Sequence, residues 1–179
     1  IYLAKNNNLL LRLQSMLELE PELRVIMMIR HPLEHASSLL KQHLRFSKLQ
    51  IEDPFVLEYM NWLGHHEFGL NHKPFQLPSD EEQGFNPNEL NYWLSCWIAY
   101  YSFAKRFISS DKVLLVAHQQ LAESPQTVLN RISASVGVTL SVANSEVYPK
   151  TVGKEPEIDP LLISSANALY AELLQLSDM

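Results

Sequence analysis

Cysteine, basic runs and long apolar runs are scarce in this chain of 179 residues. Cys96 is the only cysteine, so no disulfide can form within the chain, and no Cys/His cluster suggests a zinc site. A reducing, cytoplasmic setting is therefore expected. The formal net charge is −6 without a basic run, which argues against a general nucleic-acid-binding surface. No apolar run approaches about 18 residues, so we expect no membrane span.

Glycine is also scarce, and its distribution excludes one class of phosphate-binding protein. All five glycines fall at Gly64 or later. A Walker A loop needs glycines directly after an early strand, and no such loop is present in the sequence. Ligands for Mg²⁺ are not recognisable either. These absences argue against a P-loop kinase, and we expect no metal cofactor.

The remaining pattern predicts one α/β domain over residues 1–179. Hydrophobic residues make up 46% of the chain and charged residues 19%, which is typical of a globular protein. Short apolar runs alternate with amphipathic segments, and this alternation predicts a parallel sheet with helices. The predicted strands cover residues 1–4, 25–29 and 112–117. The predicted helices cover residues 9–17, 32–47, 54–63, 87–104, 125–136 and 160–174. Because a strand is predicted at the very first residue, we expect this sequence to be the C-terminal portion of a longer chain.

Residues 24–40 form the central feature of the sequence. An apolar strand ends at Arg30, and Pro32 then suits the first turn of a helix. A guanidinium next to the unpaired N–H groups of a helix start makes a ready site for an anion. Ser38 lies eight residues after Arg30, and its side chain is expected to lean back toward the helix N-terminus. The sequence therefore predicts an anion site at this junction.

Arg30-His31-Pro32 followed by Ser38 resembles the 3′-phosphate-binding motif of sulfotransferases that use 3′-phosphoadenosine 5′-phosphosulfate (PAPS). In that family an Arg closes a strand, Asp-Pro or Asn-Pro often follows, and a Ser stands eight residues after the Arg. Here His31 replaces the more common Asp or Asn. The resemblance implies that Arg30 and Ser38 bind the 3′-phosphate of the co-substrate.

Two other segments are similar to the same family. Lys5-Asn6-Asn7 resembles the Lys-containing segment that precedes the Arg strand, which implies that Lys5 is catalytic and neutralises the transferring sulfuryl group. Residues 112–137 resemble a strand, an Arg-Tyr-Glu-Asp-Leu segment and a long helix ending in glycine. In this chain Ala117-His118-Gln119-Gln120-Leu121 replaces that segment. The family's Tyr lies near the nucleotide, and His118 would stack there in its place. The alternatives are a solvated lysine and a hydrogen-bonded histidine at a strand end.

Two loops complete the predicted site. Residues 150–154 contain Gly153 and Lys154, and the resemblance implies that such a basic, glycine-containing loop closes on the 3′-phosphate. Residues 71–88 contain three prolines and are interpreted either as a lid over the acceptor or as a solvated connection. His65-His66-Glu67 is interpreted as a polar helix end, because adjacent histidines on a helix point about 100° apart and do not converge on a metal.

The resemblance as a whole implies a three-layer P-loop NTPase-like fold with a parallel central sheet. It also implies transfer of a sulfuryl group from PAPS to a hydroxyl or amine acceptor. One departure is important: the family's Gly- and Ser/Thr-rich 5′-phosphosulfate loop is not found in this sequence. The alternative is therefore a non-catalytic binding or interaction domain on a degenerate sulfotransferase-like fold. The sequence identifies neither the catalytic base nor the acceptor.

Overall fold

A computed structural model describes residues 4–5, 8–77, 84–142 and 158–178 of the chain. The structure is helix-rich, with 62% of it helical, and it contains a small two-stranded parallel sheet, which fits the α/β class. A 3-10 helix at Leu9–Arg12 leads into α1, and another at Lys105–Phe107 follows α4. The elements are α1 (Leu13–Leu19), β1 (Val25–Ile29), α2 (Pro32–Glu52), α3 (Pro54–Trp62), α4 (Leu90–Ala104), β2 (Val113–Ala117), α5 (His118–Glu123), α6 (Pro125–Val136) and α7 (Pro160–Ser177).

The sheet joins the two apolar runs that were predicted as its second and third strands. β1 and β2 pair in parallel, from Val25 opposite Val113 to Ile29 opposite Ala117. Both strands are short and rich in Val, Ile, Leu and Met, as buried parallel strands usually are. The strand predicted over residues 1–4 is not observed at Ala4, which belongs to neither a helix nor a strand. The other three residues of that prediction lie outside the described residues.

Several helix ends follow the local signals in the sequence. The Asp53 carboxylate accepts the N–H of Phe55 at 3.0 Å, and Pro54 is the first residue of α3. The Asp159 carboxylate accepts the N–H groups of Leu161 and Leu162 at the start of α7. An aspartate in this position satisfies N–H groups that have no partner within the helix. The two Asp-Pro helix starts predicted from the sequence are thus confirmed.

Other predicted helix ends were wrong. α2 continues to Glu52 instead of stopping near residue 47, and it ends only where Pro54 disfavours a helical residue before it. α4 begins at Leu90 and not at Pro87. There, the side chain of Asn86 accepts the N–H of Asn88 at 3.0 Å and holds a turn instead of starting the helix. Ser124 precedes α6 as expected, but its side chain makes no capping hydrogen bond.

The chain divides into two compact units, which are described separately. The sheet unit comprises Ile1–Arg30, Ala104–Thr151 and Glu172–Met179, and the helical unit comprises His31–Phe103 and Val152–Ala171. In the sheet unit the aliphatic side chains of Val116, Val128 and Ile132 form a core cluster under the sheet. The core of the helical unit is aromatic and includes Trp93, Trp97, Tyr101 and Tyr170. The expected single domain over residues 1–179 stays a prediction.

Candidate functional site

Arg30 directly follows the last residue of β1. Ile29, the residue before it, is completely buried, whereas Arg30 is half-buried. The strand ends here because a guanidinium cannot continue into an apolar core without a partner. The predicted order of strand, charged turn and helix is confirmed, since α2 begins at Pro32. The boundary between the two units falls after Arg30.

His118 occupies the corresponding position after β2. Ala117, the last residue of β2, pairs with Ile29, the last residue of β1. Because the strands are parallel and neighbouring strands lie about 4.8 Å apart, the chain leaves the same edge of the sheet at Arg30 and at His118. His118 is the first residue of α5 and is exposed. The carboxyl edge of a parallel sheet is where α/β proteins usually bind their ligands.

The other predicted site residues are described only in part. Lys5 is exposed and lies in neither a helix nor a strand, and Asn6 and Asn7 are outside the described residues. Ser38 is an exposed residue in the second turn of α2, within the helical unit. Gly153 and Lys154 lie outside the described residues. Their predicted roles therefore stay predictions.

The first turn of α2 differs from an ordinary anion site in two ways. His31, at the N-cap position, makes no side-chain capping bond, and its ring packs edge-on against Tyr170 with centroids 5.3 Å apart. An Asp or Asn at this position would accept an N–H of the helix instead. Glu34 adds a negative charge within the first turn. A carboxylate there stabilises the helix dipole but competes with a bound anion.

A histidine cluster in the helical unit was not predicted. His43 of α2 is 4% exposed, and its Nδ1 accepts the backbone N–H of Gly69 at 3.2 Å. Its ring lies 5.4 Å from the ring of His72 and 5.3 Å from that of Trp93. Nε2 of His72 is 2.6 Å from the Tyr92 hydroxyl, and its Nδ1 is 3.2 Å from the carbonyl oxygen of His66. We call His43, His72, Tyr92 and Trp93 the histidine cluster.

The hydrogen bonds of the histidine cluster require an unprotonated Nδ1 on His43 and a protonated Nδ1 on His72. His43 must be unprotonated at Nδ1 to accept from Gly69. His72 must donate from Nδ1 to the His66 carbonyl, and its Nε2 accepts from the Tyr92 hydroxyl when the ring is neutral and donates to it when the ring is charged. Burial lowers the pKa of His43, the neighbouring His72 lowers it further, and a bond with Asn88 acts in the opposite direction. Burial likewise lowers the pKa of His72, against the raising effect of hydrogen bonds to the backbone of His66 and Glu67.

The signal for this cluster was present in α2. Ala36, His43 and Gln50 are all buried and recur every seven residues, which puts them on one face of the helix. Oε1 of Gln50 accepts the N–H of Leu70 at 2.7 Å. Two polar residues on the apolar face of a helix predict buried hydrogen bonds, because burying such groups without partners is unfavourable. His43 and Gln50 thus bind the segment 66–72 to α2.

The helical unit also contains a pocket of about 360 Å³, lined by Phe85, Asp159, Leu161, Leu162 and Ser165. Of the described residues, none of those predicted for the site, namely Lys5, Arg30, Ser38 and His118, lines this pocket. The Asp159 carboxylate already caps α7. Among the described residues, nothing therefore connects this pocket with the predicted nucleotide site.

Other classes of site receive no support from the part of the chain that the structure describes. Residues 4–5, 8–77, 84–142 and 158–178 contain no group of three or more His, Cys, Asp or Glu that could hold a metal ion. Within the same ranges, no helix combines the length and the apolar character needed to cross a membrane. No known family model matches this sequence, and no curated protein is significantly similar to it.

Proposed function

We propose that this chain belongs to a PAPS-dependent sulfotransferase that transfers a sulfuryl group to a hydroxyl or amine acceptor. The proposal includes a three-layer P-loop-like fold with a parallel central sheet, of which β1 and β2 would be two strands. The single observation that carries it is the register of these strands. Because of this register, Arg30 and His118, which follow the two strands, lie at the same carboxyl edge of the sheet.

In this proposal each residue has a distinct task at the nucleotide. Arg30 and Ser38 bind the 3′-phosphate, and charge-assisted hydrogen bonds of this kind contribute about 1.5–3 kcal/mol each. His118 stacks on the nucleotide, and Gly153 and Lys154 close over the phosphate. Lys5 neutralises the sulfuryl group or its bridging oxygen as the bond to the leaving phosphate breaks, by analogy with phosphoryl transfer.

The missing glycine-rich loop limits what these 179 residues are expected to do. Binding of a 5′-phosphosulfate normally depends on backbone N–H groups of such a loop, and no similar stretch precedes β1 in this sequence. We therefore expect this chain alone to bind the nucleotide through the 3′-phosphate and not to catalyse transfer. The second candidate is a non-catalytic binding domain on a degenerate sulfotransferase-like fold, and absence of the loop from the full-length protein would favour it.

Nucleotide binding is best tested by thermal unfolding with 3′-phosphoadenosine 5′-phosphate. At a concentration one hundred times the dissociation constant, a ligand of the native state raises the melting temperature by about 5–10 °C in a protein of this size. Adenosine 5′-monophosphate, which lacks the 3′-phosphate, should give a much smaller rise. Arg30→Ala should abolish the difference between the two nucleotides.

Arg24→Ala is the matched control for Arg30→Ala. Arg24 precedes β1 at its opposite end, is exposed, and donates to the carbonyl oxygens of Pro21 and Leu23. Its substitution should leave the nucleotide effect unchanged. If millimolar nucleotide does not change the melting temperature, or if both arginine variants respond alike, the proposed phosphate site is wrong. The chain could bind the nucleotide while no longer form of the protein transfers a sulfuryl group. That result would favour the second candidate, the non-catalytic binding domain.

A further inference from the structure

Helix α3 exposes a row of aromatic side chains. None of its nine residues is buried. Phe55, Tyr59 and Trp62 are 57%, 48% and 67% exposed, and their spacing puts them on one face of the helix. The Phe55 ring stacks on Tyr59 with centroids 5.8 Å apart and meets Trp62 edge-on at 6.3 Å. We call these three residues the aromatic stripe.

The aromatic stripe is the outer face of a well-anchored helix. Residues Val56, Leu57 and Met60 on the opposite side of α3 are half-buried. Nε2 of the buried Gln50 in α2 is 3.1 Å from the sulfur of Met60. α3 is thus fixed on its inner side, and the stripe is exposed because the helix presents it outward and not because the helix is frayed.

The size and charge of this surface resemble those of a protein interface. Three aromatic side chains exposed to this extent present about 350 Å², since each has about 150–250 Å² of surface. Ile51, Leu63 and Leu70 of the same unit are also half or more exposed. The three rings alone supply nearly half of the roughly 800 Å² that one partner buries in a standard interface. Glu58 is the only charged residue of α3, and interface centres are likewise aromatic-rich and depleted of charge.

We propose that the aromatic stripe pairs with the same stripe on a second copy of this chain. Two stripes related by a two-fold axis would bury Trp62 and Tyr59, the residue types that most often dominate binding energy. Glu58 lies about 60° around the helix from Phe55, at the margin of the stripe, so no row of like charges meets across the axis. If the two copies of α3 pack antiparallel, the positive end of each helix dipole lies next to the negative end of the other, which is favourable.

The charge pattern favours a second copy over a membrane surface. Helices that lie on membranes usually carry Lys and Arg on their polar face, which bind anionic lipid headgroups. α3 contains neither, and its N-terminal end is acidic because Glu52 and Asp53 precede it. Lys48 is the nearest basic residue in the sequence before α3, and it pairs with Glu52 at 3.6 Å. An anionic vesicle is therefore a poor match for this surface.

Sedimentation equilibrium on the full chain measures the proposed association. The average mass should rise from 20.6 kDa toward twice that value between about 1 and 100 μM protein. Phe55→Glu should raise the dimer dissociation constant at least tenfold, and circular dichroism should show an unchanged helix content. Leu19→Glu is the matched control. Leu19 is 76% exposed at the end of α1, in the sheet unit, and its substitution should leave the association unchanged.

Tryptophan fluorescence reports directly on the stripe. Trp62 is exposed, whereas Trp93 and Trp97, the other two tryptophans, are 4% and 2% exposed. Emission should therefore shift to shorter wavelength, and acrylamide quenching should weaken, as the protein concentration rises. Trp62→Phe should remove both changes. A monomeric mass at 100 μM would overturn the proposal. A blue shift induced by vesicles at 1 μM protein would also overturn it, because lipid would then cover the stripe. Protection of Trp62 that does not depend on protein concentration would do the same, because the chain itself would then cover the stripe.

Discussion

The sheet unit and the helical unit bury different kinds of side chain around their central elements. β2 packs Val116 against Val128 and Ile132 of α6, an aliphatic cluster without polar atoms in its side chains. α2 instead buries His43 and Gln50, and both bind backbone N–H groups of the segment 66–72. Aliphatic packing stabilises in proportion to the area buried and is not directional. Buried polar groups are satisfied only when one particular loop conformation is present.

The largest expected effect is the loss of packing in the sheet unit. Ile29 is completely buried in β1, so Ile29→Ala should lower the free energy of unfolding by about 2–5 kcal/mol through lost burial and a residual cavity. Urea denaturation measures this change. Met28, the residue before Ile29 in β1, is the matched control, because its side chain points to the other face of the sheet and is 40% exposed. Met28→Ala should cost clearly less, and equal losses would contradict the assignment of Ile29 to the core face.

The second effect tests the polar contacts in the helical unit. Gly69 has a φ of +90°, and an added Cβ would collide with the side-chain amide of Gln50. That amide cannot withdraw without losing its bond to the N–H of Leu70. Gly69→Ala should therefore lower the free energy of unfolding by about 2–4 kcal/mol, from backbone strain and overpacking combined. Thermal or urea denaturation measures the loss.

Gly64→Ala separates the two contributions. Gly64 has a φ of +68°, but an added Cβ would meet no atom within 4 Å. Only the backbone strain remains, so we expect a loss of about 1 kcal/mol. If the two glycine variants lose the same stability, the contact between Gln50 and the segment 66–72 does not restrict this loop.

Much of the fold could be predicted because its signals are local. The apolar runs of β1 and β2 and the Asp-Pro pairs at Asp53 and Asp159 act within a few residues. The hydrogen bonds of His43 and Gln50 could not be predicted in the same way. Their partners are 26 and 20 residues further along the chain, and nothing in a helical pattern specifies which loop will return.

In the candidate site too, local features could be predicted from the sequence and long-range ones could not. The spacing of Arg30, Pro32 and Ser38 is local, and the strand end and helix start that it predicts are observed. The correspondence of Arg30 with His118 depends on which strands pair and in which register. Strand register over such a separation follows from packing of the whole sheet and not from either segment alone. The resemblance to sulfotransferases implies a role for His118, which stays a prediction, and does not give the alignment of His118 with Arg30.

The smallest expected effect is a pH dependence that arises in the helical unit. Burial lowers the pKa of His43 and His72 in the folded chain below the value of 6.5 expected in the unfolded chain. Below about pH 6.5 the unfolded chain therefore binds more protons than the native chain. The free energy of unfolding should consequently fall as the pH is lowered from 7.5 to 5.5. Urea denaturation at a series of pH values measures this fall.

His43→Gln tests whether the histidine cluster causes that dependence. A glutamine oxygen can still accept the N–H of Gly69, but it does not titrate in this range. The variant should thus lose less stability between pH 7.5 and 5.5 than the natural chain, with His72 supplying what remains. An equally steep fall in the variant would mean that His43 keeps its proton affinity on folding. In that case the bond from the Gly69 N–H to Nδ1 would be too weak to oppose protonation of His43, and the histidine would not restrict the segment 66–72 as the buried Gln50 does.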